Sequence, residues 1–200
     1  MNKLMKSITL IGKKVLSTVL LSLCVTTGFG QHIFNVDPVQ AAEIAAFMKQ
    51  PSAVEGKCNA EVLGIVTTAS EFSWDDINTW KNADGKVWAD GATADYAPTV
   101  FGFGFKKNAP YNGGASWICL ITNKDDDKWN PAIPGVADLK GNFILSNCNA
   151  TTVKIANSQI NTIKICMNNP TEDCYISTKR NSNLEQLDIS GSTGKLRQIE

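Results

Sequence analysis

Residues 150–165, ATTVKIANSQINTIKI, constrain this chain more than any other stretch. Apolar residues stand at Val153 and Ile155, then at Ile160, Ile163 and Ile165, with Lys154 and Lys164 between them. Alternation of β-branched and polar residues marks short strands that bury one face. The segment LEQLDISGSTGKLRQIE repeats the pattern with Leu184, Leu187, Ile189, Leu196 and Ile199. Ahead of both lies ADLKGNFILSNC, with Leu139, Phe143, Leu145 and Cys148. One such turn cannot cover its own apolar face, so neighbouring turns must stack. Val153, Ile155, Ile163 and Ile165 are therefore expected inside, and Lys154 and Lys164 in solvent. A one-residue slip would bury both lysines, and unpaired lysine is almost never buried.

Export is expected from the other end of the chain. Residues 1–14 carry Lys3, Lys6, Lys13 and Lys14, and VLSTVLLSLCV follows as an apolar run leading to small residues at Gly28 and Gly30. A cationic start, a short apolar core and a small-residue exit describe a secretory signal peptide over residues 1–30. Eleven helical residues rise only about 16 Å, well short of a bilayer core of about 30 Å. Lipid attachment at Cys24 is disfavoured by Leu23 in front of it. The mature chain is thus expected to be exported, to the extracellular space, the cell surface or the periplasm, without a transmembrane anchor. Basic and acidic residues number 19 each, and removal of the lysine-rich leader leaves a mildly acidic chain. Nothing in that balance suits nucleic acid. Five cysteines remain, an odd number for an oxidising compartment. Cys166 and Cys174 flank a short loop and are the candidate disulfide.

Asp37-Pro38 opens a helix expected over residues 38–50, with aspartate as cap and proline at the first turn. Its buried side is read as Val39, Ala42, Ala46 and Phe47, flanked by Ile44 and Met48, and Pro51 ends it. Residues 61–66 read as a short helix or strand. Residues 71–135 hold all five tryptophans and two strand candidates, 99–105 (TVFGFGF) and 115–122 (ASWICLIT). Gly102 and Gly104 allow close approach of another segment. The run Asn123–Lys128 lacks the ligand spacing of a calcium loop. Catalytic chemistry finds little support: the one histidine, His32, stands far from any cysteine cluster. No catalytic, cofactor or metal residues are assigned. Only Glu71, Asp75 and Asp76 form an acidic cluster beside tryptophans (Trp74, Trp80), the one place where a glycosidase pair could lie.

Taken in order, the leader, the helix running into AFMKQPSAVEGKCNAEVLGI, the tryptophan-rich segment and LKGNFILSNC with its paired strands resemble the secreted, internalin-like leucine-rich-repeat proteins of Bacteroidetes-type bacteria. Ala150, Val153, Ile155, Ser158 and Ile160 take the places of that repeat, with Ser158 and Ser192 where it carries asparagine. The resemblance implies an α/β repeat fold: a cap region over residues 31–135, then the start of a β-solenoid over residues 136–200. Because Glu200 falls within a repeat, further turns are expected to follow it. The family's members are binding and adhesion modules, which implies a non-enzymatic protein meeting a protein or glycan through outward strand positions. Lys154, Lys164, Asp188 and Arg197 are the candidates. The alternative is a secreted carbohydrate-binding or carbohydrate-cleaving protein.

Overall fold

A computed structural model of the chain describes residues 37–87, 100–105, 115–122, 132–148, 150–168 and 173–200. The expected leader, His32 and the 123–128 run lie outside them. Helix α1 (Pro38–Lys49) begins as expected: the Asp37 carboxylate accepts from the Gln40 N–H at 3.0 Å, with Pro38 in the first turn. Its buried side differs from the expected one. Gln40, Ile44, Phe47 and Met48 are buried at helical spacing, whereas Val39 is 57% exposed. Helix α2 (Asn59–Val62) is a single turn, capped where the Glu61 carboxylate accepts from the Cys58 N–H at 2.8 Å.

The strands are β1 (Phe103–Phe105), β2 (Ala115–Leu120), β3 (Lys140–Cys148), β4 (Thr152–Ile155), β5 (Gln159–Met167), β6 (Asp173–Ser177), β7 (Gln186–Asp188) and β8 (Lys195–Ile199). They form two sheets, ordered β1-β2-β4-β6-β8 and β3-β5-β7. From β3 onward, successive strands alternate between the sheets and pair in parallel within each. β2 joins β4 in parallel, while β1 pairs with β2 antiparallel, Phe103 opposite Ile118. Gly102, at φ +80°, allows that approach, since a Cβ there would stand 2.8 Å from the Cys119 carbonyl oxygen.

The expected leucine-rich-repeat solenoid is thereby corrected. Among the described residues the chain builds a five-stranded sheet that is parallel except for the antiparallel β1–β2 pair, a parallel three-stranded sheet, and few helices. The cause lies in the composition of the connecting halves. Thr152, Val153, Ile155, Tyr175 and Ile176 are β-branched or aromatic and take strand geometry, so a second sheet stands where a helical layer would be needed. The corners are polar instead of an asparagine ladder. Asn181 accepts from the Ser158 N–H and Oγ, both at 2.9 Å, and donates to the Ile155 carbonyl. Ser192 Oγ accepts from the Met167 N–H at 2.9 Å.

Between the sheets Val153, Ile155 and Ile176 meet Phe143, Ile163 and Ile165 in one core, all at most 1% exposed. Lys164 is exposed and Lys154 half-buried, so the side chains alternate as a strand requires. Phe47 of α1 stands edge-on to Phe143 of β3 at 5.0 Å, and residues 37–87 share this core.

One edge of the three-stranded sheet is closed by side chains. The even-numbered residues of β3 turn their backbone groups away from β5. Asn59 donates to the Lys140 carbonyl at 2.9 Å and accepts from its N–H at 3.1 Å. Gln50 does the same for Asn142, at 2.8 and 2.7 Å. Glu43 accepts from the Ser146 N–H at 2.9 Å. Two amides and a carboxylate thus imitate a neighbouring strand and satisfy an edge that would otherwise invite pairing.

Candidate functional site

In a strand, side chains opposite the core return every second residue, so the outer face of the five-stranded sheet follows from its register. Trp117 pairs with Thr152, Thr152 with Tyr175, and Tyr175 with Gln198. Those four residues form one row across β2, β4, β6 and β8. Lys154 pairs with Ser177 in the next row, and Glu200 follows at the end of β8, accepting from the Thr178 N–H at 2.8 Å. An open groove of about 430 Å³ runs along both rows, lined by Trp117, Thr152, Lys154, Tyr175, Gln198 and Glu200 among others.

Polar chemistry in the groove is ordered. Lys179 forms an ion pair with Glu200, and Gln198 donates to the same carboxylate. These contacts hold the Glu200 carboxyl below the usual range, Lys179 first and Lys154 adding its charge. Tyr175 is 42% exposed, a large aromatic left on the surface. Beside the groove, Cys119 of β2 and Ile121 just after it are buried with Ala156.

The expected binding residues separate. Lys154 lines the groove. Lys164 and Asp188 lie on the other sheet, paired to each other at 3.1 Å. Hydrogen bonds from Ser190, and then Lys164, hold Asp188 at about 2. Arg197 is the extra residue of a bulge in β8, where Cys174 faces Leu196 and Tyr175 faces Gln198. Its Nε meets Asp173 at 2.9 Å. Lys154 and Arg197 thus belong to the five-stranded sheet, and Lys164 and Asp188 to the three-stranded one.

Cys166 and Cys174 are not bridged and both are thiols. Cys166, half-buried on β5, donates to the Ser190 carbonyl at 3.3 Å, while Cys174 is buried within the core. Two acids of the acidic cluster, Asp76 and Glu71, are engaged as well. Asp76 caps the 3-10 turn over Ile77–Thr79 by accepting from the Asn78 N–H at 3.0 Å. Glu71 pairs with Lys81 at 2.9 Å, which pulls its carboxyl down to about 2. A general acid needs the opposite shift. Trp80 is fully buried, its Nε1 donating to the Ser73 carbonyl at 2.7 Å, and Trp74 packs on it edge-on at 5.8 Å. Trp80 is core, and Trp74 packs half-buried against it.

Sequence reading missed Trp117, Thr152, Tyr175 and Gln198. A signal was present: Trp117 and Tyr175 each sit one place out of phase with the core residues Ile118, Cys174 and Ile176. Among the described residues no cluster suits a metal ion, and no helix is long and apolar enough to cross a membrane. No family profile, curated protein or solved structure matches the chain, so the site alone carries the functional reading.

Proposed function

We propose that this chain is an exported, non-enzymatic binding protein that engages its partner through the outer face of the five-stranded sheet. The observation that carries the reading is the row Trp117, Thr152, Tyr175 and Gln198, which places aromatic and hydrogen-bonding groups side by side along an open groove. Ordered strands fix that spacing before any partner arrives, so little conformational entropy is lost on binding. An open face suits an extended partner, and the carboxylates of Glu71 and Asp76 are engaged by Lys81 and the Asn78 N–H.

The test is an array of immobilised polysaccharides and secreted proteins probed with the purified chain and with a Tyr175→Ala, Gln198→Ala double variant. Retention on at least one surface, lost in the variant, is expected. Equal retention of both proteins, or turnover of any arrayed polysaccharide, would overturn the reading.

A further inference from the structure

We propose that the groove is a saccharide site, in which a pyranose unit of a glycan chain lies between Trp117 and Tyr175 above Thr152. This rests on the binding reading above and names its ligand class. Neighbouring strands stand about 4.8 Å apart, so residues two strands apart in one row are separated by about 9.6 Å. Trp117 on β2 and Tyr175 on β6 stand in that relation, with Thr152 of β4 between them. Such a gap admits one saturated ring with van der Waals contact to an aromatic group on either side.

The chemistry matches on both counts. A pyranose carries C–H bonds on its faces, which the electron-rich faces of tryptophan and tyrosine attract. Around its rim are hydroxyls, each both donor and acceptor. The groove answers with Thr152 and Ser177 hydroxyls, the Gln198 amide, the Lys154 and Lys179 ammonium groups and the Glu200 carboxylate. A protein partner would be served better by a broader apolar centre with charges at its rim. Here charged and aromatic groups are interleaved within a volume typical of small-ligand sites. The groove is also open to solvent, so the bound unit can belong to a longer glycan.

Isothermal titration of the full chain with cellohexaose, xylohexaose and hexagalacturonate tests the assignment. At least one hexasaccharide is expected to bind, with affinity lowered about tenfold or more in Tyr175→Ala and likewise in Trp117→Ala. Tyr175 is exposed, so its variant keeps the fold, which a thermal melt verifies even where loss of the half-buried Trp117 disturbs packing. Absence of binding by all three hexasaccharides would overturn the saccharide assignment, as would binding that Tyr175→Ala leaves unchanged. If the array retains the chain on a protein through the same face while no hexasaccharide binds, the saccharide site fails and the binding reading stands.

Discussion

Ile155 and Lys154 are neighbours in the chain with opposite surroundings. Ile155 is fully buried between the sheets, and Lys154 lies half-exposed along the groove. Truncation of Ile155 to alanine is expected to cost about 2–5 kcal/mol, through lost burial and the cavity left behind. Lys154→Ala should stay within about 0.5 kcal/mol, as surface changes do. Chemical denaturation of the two variants decides it, and equal losses would contradict this packing. Cys148 makes a second prediction at this scale. Burial pushes its thiol from 9.0 up to about 12, opposed by a hydrogen bond with the Ala150 backbone and assisted by the nearby Cys174 sulfur. Between these values the unfolded chain releases a proton that the folded chain retains, so this group's contribution to stability is full below pH 9 and declines as pH rises toward 12. Urea melts at pH 8 and pH 10 should show a loss in the wild type that Cys148→Ala reduces.

At the scale of elements, the edge of β3 depends on residues outside any sheet. Asn59 is buried and makes both of its contacts to Lys140 as well as one to the Phe47 carbonyl at 3.0 Å. Asn59→Ala leaves the part-buried carbonyl and N–H of Lys140 without their partner, which costs up to about 1–3 kcal/mol for each such group. Gln50 reaches Asn142 in a more open position, and its loss to alanine should cost about 1 kcal/mol, since water can replace it. Thermal melts rank the two variants. Amide exchange at Lys140 should quicken in Asn59→Ala while Ile163, inside the sheet, stays protected. Helix α1 was legible because its signals are local: Asp37 and Pro38 lie next to the turn they start. Its orientation was not, because Val39 and Ile44 are equally apolar, and only contact with Phe143 chooses between faces.

For the whole molecule, the strand alternation of residues 153–165 was readable from two-residue periodicity, and the burial of Val153, Ile155, Ile163 and Ile165 follows it. What escaped was partnership. That β2 lies beside β4, and so sets Trp117 next to Thr152, depends on chain segments whose pairing leaves no periodic mark in either. The same holds for the two-sheet arrangement, because a short apolar strand reads alike whatever layer faces it. The closed edge of β3 has a consequence in time. Asn59 and Lys140 are 81 residues apart, Gln50 and Asn142 are 92, and Glu43 and Ser146 are 103. None of these bonds can form until most of the chain exists, and their long loops make early closure entropically unfavourable. The edge should therefore be sealed last, after the strands have stacked. Stopped-flow refolding of Gln50→Ala is expected to leave the folding rate nearly unchanged and to speed unfolding, as for contacts absent from the transition state. In refolding of the complete chain there is then an interval in which β3 is formed and its rim is bare, open to pairing with the same rim of a second chain.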